Sequence, residues 1–284
     1  MKKFLFLCAL LAQFILVGST TPNSKIITLY IHGTKVLPGV NYFMQGYFPA
    51  GLHQAESLCE SYHPLSLIST LSTGKVPLCN RKDLYLYGWN GNLWPSSRLN
   101  AAKDCKKAIL EQLITKEHSP ENPLILRLLT HSHGGAVGLY LAGIIEEENL
   151  PIEIKELILM GCPMQERTEA LAACKCIKKI YNLYSEQDII QIIDPQGIYP
   201  DVCNTQGLPL FSYRILNFSQ KNMWNIGIKL NNKSLGHSDF IHTTFLRYIQ
   251  QIINKAQKHE HGHITINVID PEKIYIPNYT IQGQ

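Results

Sequence analysis

The sequence is poor in charged residues. Asp, Glu, Lys and Arg make up 17% of its 284 residues, and 26 basic against 22 acidic side chains leave a net charge of +4. No stretch combines clustered basic residues with interleaved aromatics, so the pattern typical of a nucleic-acid-binding surface is missing and we expect no nucleic-acid partner. The hydrophobic fraction of 45% is typical of a globular protein that buries a substantial core.

Long hydrophobic runs are also missing, with one exception at the N-terminus. A membrane-spanning helix needs about 20 consecutive apolar residues, and only the run at 4–17 approaches that length. Two lysines precede this run and the small residues Gly18 and Ser19 follow it, which is the three-part pattern of an export signal. We therefore predict an exported protein, secreted or periplasmic, with a signal peptide at 1–20. An uncleaved N-terminal membrane anchor is the alternative.

Paired cysteine motifs are missing as well. Of the eight cysteines, Cys8 lies in the predicted signal, and the other seven are scattered. An odd number at irregular spacing excludes a small disulfide-rich scaffold and leaves room for one or two bridges. The close pair Cys174 and Cys176 has no second pair at zinc-site spacing, so we interpret it as one face of a helix.

Aliphatic runs alternate with helical patterns from residue 25 onward. Continuous apolar runs predict buried strands, and apolar residues three and four apart predict helices. The predicted strands are 25–33, 83–89, 123–130, 154–161, 178–185 and 225–230. The predicted helices are 96–118, with Ser96 or Ser97 as its cap, 134–149, a segment near 165–176, and 238–257.

Strands buried on both faces that alternate with helices predict an α/β fold, a mainly parallel sheet covered by helices on both sides. In this interpretation residues 21–284 form a single domain, and 225–230 is the last strand of the main sheet. The tail 261–284 alternates like a strand but has no assigned role.

The segment Thr130-His131-Ser132-His133-Gly134 follows a predicted strand and opens a helix of small residues. A Gly-x-Ser-x-Gly pattern at such a turn exposes a nucleophilic serine, and the flanking residues must be small because the turn is tight. Thr130 replaces the first glycine with a bulkier residue, whereas Gly134 keeps the helix start open. The amide of His133 would lie at the helix start, where it suits a developing oxyanion. Ser132 is therefore the candidate nucleophile.

The same segment also allows a zinc interpretation. Thr-His-x-His after a strand resembles the metallo-β-lactamase family, but two glycines and an alanine follow His133 where that motif continues with Asp and His. A hydrolytic zinc needs about three protein ligands. The histidines at 259–263 lack a nearby carboxylate cluster, and we interpret them as a solvated loop. We predict no metal and no other cofactor, with a zinc hydrolase using His131 and His133 as an alternative.

The elbow segment and its flanks resemble the α/β-hydrolase superfamily, in particular lipase-type members that carry G-H-S-H-G-G where this chain has T-H-S-H-G-G. The resemblance extends from Ile26 to about Gln257. In that family the chain order is oxyanion loop, serine, acid and histidine, and the resemblance implies that this chain fills every place in that order.

The oxyanion loop implied by the resemblance is His32-Gly33-Thr34, directly after the first strand. The amide of Thr34 would be the second oxyanion donor beside that of His133. His32 and Gly33 would be structural and fix the turn.

The acid implied by the resemblance follows the strand 178–185. Asp188 is the first choice, and Glu186 and Asp194 remain open. The base is His237, in a Gly-His-Ser-Asp run before the last helix. His242 is its competitor, but we predict it inside that helix, where its side chain would point along the surface.

These assignments predict a serine ester hydrolase that acts on a lipid-like or small ester through a Ser-His-Asp triad and an acyl-enzyme. The apolar segment 36–52 is a candidate wall or lid of an acyl pocket, and contact with a membrane surface fits such a substrate. The alternative from another class is a non-catalytic hydrolase-fold protein that binds a ligand or partner.

Overall fold

A computed structural model describes residues 25–34, 50–58, 64–73, 76–196, 209–217, 222–270 and 273–275. The predicted signal peptide and most of the segment 36–52 lie outside the described residues. Among the described residues, no helix is both long and apolar enough to cross a membrane.

Ten strands of the described chain form one sheet, which orders them β10-β9-β7-β6-β5-β4-β1-β3-β2 with β8 paired to β7. The strands are β1 (Ile26–Ile31), β2 (Gly51–Gln54), β3 (Leu84–Gly88), β4 (Leu124–His131), β5 (Ile152–Met160), β6 (Ile180–Tyr184), β7 (Met223–Leu230), β8 (Lys233–Ser234), β9 (Gly262–Asp270) and β10 (Lys273–Tyr275). The seven strands from β9 to β3 run parallel, and β2, β8 and β10 pair antiparallel to their neighbours. The predicted α/β class with a mainly parallel sheet is confirmed.

Seven α-helices lie among the described residues. They are α1 (Pro64–Thr73), α2 (Pro95–Gln112), α3 (Gly134–Glu147), α4 (Glu166–Glu169), α5 (Ile190–Ile193), α6 (Thr243–Leu246) and α7 (Ile249–Ala256). The core divides into two clusters because successive strand side chains point to opposite faces of the sheet. On β4, Leu128 packs in the cluster that includes residues of α2 and α3, while Leu129 packs in the cluster that includes residues of α1 and α7.

The helix predicted at 96–118 is observed as α2, Pro95–Gln112, which begins one residue before the predicted start and ends six residues before the predicted end. Trp94 is its N-cap without a side-chain hydrogen bond, so neither Ser96 nor Ser97 caps it, and Pro95 at the first helical position supplies the helical φ angle. The helix ends at Gln112 because the following residues form their own turn, in which the His118 ring accepts the amide of Thr115 at 3.0 Å.

The pair Cys174 and Cys176 is not on a helix face, so that prediction is wrong. The segment near 165–176 holds only α4 and a 3₁₀ turn at Ala170–Ala173, and Cys174 is the cap of that turn. The chain then returns to the sheet, where the carbonyl of Cys176 accepts the amide of Ile154 at 2.8 Å. The described cysteines, 79, 105, 162, 174 and 176, are free thiols.

The closing helix predicted at 238–257 is broken into a 3₁₀ segment, His237–Ile241, followed by α6 and α7. His242 causes the break, since its backbone is extended and its ring accepts the amide of Thr244 as the N-cap of α6. The prediction that His242 lies inside a helix is therefore wrong.

The prediction that 225–230 is the last strand of the main sheet is wrong, because the sheet continues beyond β7 into the tail. β9 pairs in parallel with β7 from Trp224 opposite Gly262 to Leu230 opposite Val268. Its alternate residues Ile264, Ile266 and Val268 are buried. The run at 259–263 is thus not wholly a solvated loop, since its last histidine belongs to β9.

Candidate active site

Ser132 occupies the tight turn between β4 and α3. Its φ of +52° lies in the left-handed region, which non-glycine residues adopt rarely and mostly where the surrounding structure enforces it. The amide of Ser132 donates to the carbonyl of Met160 at 3.0 Å, and the carbonyl of Ser132 accepts the amide of Gly135 at 2.9 Å. These bonds hold the strained residue between β5 and the first turn of α3.

Two glycines let this turn pack directly against the end of β1. A Cβ on Gly134 would lie 2.4 Å from the carbonyl oxygen of Ile31, and a Cβ on Gly33 would lie 2.6 Å from the Cβ of Ser132. Both distances are shorter than any side chain tolerates. The glycines therefore allow the loop after β1 to lie next to the serine.

Thr130 fits where the motif has a glycine. Its hydroxyl donates to the carbonyl of Ile158 at 3.1 Å, which satisfies a fully buried polar group. Its methyl group lies over Gly138, where an added Cβ would come within 3.2 Å of it. The bulk of Thr130 is thus accommodated by Gly138, which lies one helical turn after Gly134 in α3.

A chain of hydrogen bonds joins Ser132, His237 and Asp188. The Nε2 atom of His237 lies 2.9 Å from the Ser132 Oγ, and its Nδ1 lies 2.9 Å and 3.1 Å from the two carboxylate oxygens of Asp188. Asp188 is 1% exposed, and its Oδ1 also accepts the amide of Ile190 at 3.1 Å. Ser132 and Asp188 follow the parallel strands β4 and β6, at the edge of the sheet where sites of such sheets lie, and His237 follows the short antiparallel strand β8.

The three candidate acids that the sequence left open have different surroundings. Of the three, Asp188 is the one whose carboxylate contacts the His237 ring. Glu186 is exposed and faces Lys229, 3.8 Å away, while Asp194 is buried beside His133.

His131 supports the segment that carries His237. Its Nε2 lies 3.1 Å from the carbonyl oxygen of His237, and the two rings are 4.9 Å apart. Burial, followed by the nearby charge of His237, lowers the pKa of His131 to about 3. The ring is therefore neutral near pH 7, and its Nε2–H donates to that carbonyl. Sequence gave no signal for this role.

His32 ties the end of β1 to the residue after β3. The amide of Trp89 donates to His32 Nε2 at 3.1 Å, the Trp89 indole donates to the His32 carbonyl at 2.8 Å, and the two rings stack. Since Nε2 accepts, the proton is on Nδ1, which donates to the carbonyl of Gly33 at 2.6 Å. These contacts hold the loop that leads to Thr34.

Thr34 and His133, the predicted oxyanion donors, are in contact through their side chains. The Thr34 hydroxyl lies 2.5 Å from His133 Nδ1. Among the described residues, no acceptor takes up the amide of either residue.

Behind His133 lies a buried polar cluster that sequence did not predict. Asp194 Oδ1 is 2.9 Å from His133 Nε2, and Asp194 Oδ2 accepts from the side-chain amide of Gln165 and lies 3.5 Å from Arg98 Nη1. Arg98 is 1% exposed and also donates to the carbonyl of Leu93. Arg98 lies in α2 and Gln165 lies in the loop before α4, and neither belongs to a sequence motif, so the sequence alone does not identify them as site residues.

The two histidines of the zinc alternative point to different partners. His131 contacts the His237 carbonyl, whereas His133 lies between Thr34 and Asp194. The described part of the chain contains no group of three or more His, Cys, Asp or Glu residues placed to hold a metal ion.

Comparison of the chain with protein-family models, with curated proteins and with solved structures found no significant match.

Proposed function

We propose that this chain is a serine hydrolase with an α/β-hydrolase fold that cleaves carboxyl esters. The observation that carries the proposal is the continuous chain of contacts from Asp188 through His237 to Ser132. Such a chain suits an activated nucleophile, because the base lies within hydrogen-bond reach of the hydroxyl and a carboxylate orients the base. The strained backbone of Ser132 supports the same assignment, since strain of this kind clusters at functional sites.

The proposed reaction is acyl transfer in two halves. The Ser132 Oγ attacks the ester carbonyl carbon and its proton passes to His237 Nε2, while Asp188 stabilises the imidazolium. The amides of Thr34 and His133 stabilise the negative oxygen. When the intermediate collapses, the alcohol leaves with the proton from His237. Water then repeats the sequence on the acyl-enzyme and releases the acid, so no cofactor is required.

A group of exposed apolar residues near the triad supports a lipid-like ester as substrate. Ile189 follows Asp188 directly, Ile193 ends α5, and Leu210 and Phe211 lie on the segment paired with residues 195 and 196. These four side chains, which we name the apolar rim, are each about half exposed. Exposed apolar clusters of this kind mark binding surfaces. The rim suits an acyl chain or contact with a membrane surface, in keeping with the proposed export of the protein.

The test is turnover of p-nitrophenyl esters of increasing acyl length by purified residues 21–284 and by its Ser132→Ala variant. We expect hydrolysis by the wild type and a loss of at least about 10³-fold in kcat/KM in the variant, and the length preference then measures the acyl site. A well-folded wild type that hydrolyses none of the esters would instead favour the non-catalytic binding protein.

A further inference from the structure

A second carboxylate–imidazole–hydroxyl chain lies beside the triad. Asp194 contacts His133 at Nε2, and the Nδ1 of the same ring contacts the hydroxyl of Thr34. All three residues are at most 6% exposed. The chain ends on the loop after β1 and begins after α5, so it connects the two segments through the residue that follows Ser132.

We propose that Asp194, acting through the His133 ring, is a positioning residue that fixes Thr34 so that the two oxyanion amides face one oxygen. This inference rests on the proposed serine hydrolase activity. It assigns a role in catalysis to a carboxylate that does not touch the triad and to a threonine hydroxyl outside the reacting atoms.

The protonation state of His133 makes the connection directional. Burial, followed by the positive charge of Arg98, lowers the pKa of His133 although Asp194 opposes this shift. A neutral ring has one N–H and one acceptor nitrogen. The Asp194 oxygen 2.9 Å from Nε2 favours the tautomer that carries its proton on Nε2, so Nδ1 accepts a hydrogen bond from the Thr34 hydroxyl and this contact orients the threonine side chain.

The position of Asp194 is itself determined by its other contacts. Burial alone raises its pKa, but the neighbouring His133, Arg98 and Gln165 together lower it, so the carboxylate is ionised. A buried charge is stable only when it is paired and hydrogen-bonded. The Asp194 carbonyl also accepts the amide of Ser212 at 2.9 Å. The chain of contacts therefore begins at a carboxylate held by several neighbours and ends at the loop that it positions.

This arrangement predicts a kinetic signature that differs from loss of stability. Donors aligned on the developing oxyanion stabilise the transition state more than the bound ester, so misalignment lowers kcat with little change in KM. It also weakens a trifluoromethyl ketone, because this inhibitor forms an anionic adduct with the serine that needs the same two amides.

The experiment compares Thr34→Val, which replaces the hydroxyl with a methyl group of similar size, with Thr34→Ser, which keeps the hydroxyl. We expect Thr34→Val to lower kcat for p-nitrophenyl butyrate by about 10- to 100-fold, with KM changed less than about twofold and inhibition by the trifluoromethyl ketone weakened in parallel. Thr34→Ser should recover most of that loss. An active wild type whose Thr34→Val variant keeps its kcat and inhibitor affinity would overturn the inference while leaving the proposed function intact.

Asp194→Asn provides the second arm. Residues that act through one chain of contacts give non-additive effects, so the double variant with Thr34→Val should be no slower than the slower single variant. If the loss of kcat in the double variant equalled the product of the losses in the two single variants, Asp194 would not act through Thr34. If Thr34→Val failed to fold, as judged by circular dichroism, the kcat and inhibitor comparison on Asp194→Asn alone would decide the matter in the same way.

Discussion

At the residue scale, two carboxylates close together in sequence have different surroundings. Asp188 is buried against the His237 ring, and Glu186 extends into solvent toward Lys229. Charge and spacing along the chain could not distinguish them, because the turn after β6 decides which side chain points inward. The Asp188 carboxylate also lies next to Gly161, where a Cβ would come within 3.1 Å of it.

This difference predicts the effects of two matched substitutions. Asp188→Asn removes the charge that orients and stabilises the His237 ring, and we expect kcat to fall by roughly 10²- to 10⁴-fold. Glu186→Gln makes the same change at an exposed position and should leave kcat within about twofold of the wild type. Steady-state ester hydrolysis measures both. Equal losses, or a larger loss in Glu186→Gln, would mean that Asp188 is not the acid.

A sequence motif located the predicted oxyanion loop but not the buried cluster around Asp194. Gly33 lies beside Ser132 and Thr34 contacts His133, where the resemblance to hydrolases implied a loop. The contacts of Arg98 and Gln165 with Asp194 depend on side chains brought together by folding, and no local pattern encodes such a cluster.

At the element scale, strands in the middle of the sheet were predicted well because each is a long aliphatic run. β4, for example, is buried along its whole length, and its observed bounds differ from the predicted ones by one residue at each end. The tail 261–284 shows the alternation of a strand, but β9 could not be assigned to the main sheet from sequence, because its first residues follow a histidine-rich segment and alternation alone does not show which strand it pairs with. Helix ends were also misplaced, since capping by His242 and the turn before His118 depend on side-chain hydrogen bonds.

The burial of strand β9 gives a prediction about stability. Ile266 in β9 is fully buried, whereas its neighbour Thr265 is only partly buried. Ile266→Ala should lower the free energy of unfolding by about 2–5 kcal/mol, because it removes buried methyl groups and leaves a cavity, whereas Thr265→Ala should cost less than about 1 kcal/mol. Urea unfolding of both variants tests this. Similar small effects would mean that β9 is not part of the core.

At the scale of the whole molecule, buried neutral histidines make the folded state sensitive to acid. His131 has a pKa of about 3 when folded, well below the ordinary value of 6.5 that it regains on unfolding. Between these values the unfolded chain binds a proton that the folded chain does not, so stability falls as the pH is lowered. The lowered pKa of His133 acts in the same direction.

We therefore expect the free energy of unfolding to fall by about 2 kcal/mol between pH 7 and pH 5 through His131 alone. His131→Asn removes this group, and its stability should change less steeply over that range. Urea titrations of both proteins at the two pH values give the comparison. Identical slopes for wild type and variant would contradict a neutral, buried His131.

The central claim is that Ser132 is a nucleophile activated by His237 and Asp188. The most direct measurement is mass spectrometry of residues 21–284 after treatment with a fluorophosphonate, which attaches covalently to activated serines. We predict one adduct per chain, located on Ser132, and a much slower reaction in His237→Ala. No adduct on a folded protein, or an adduct on another serine that forms equally fast in His237→Ala, would contradict the claim.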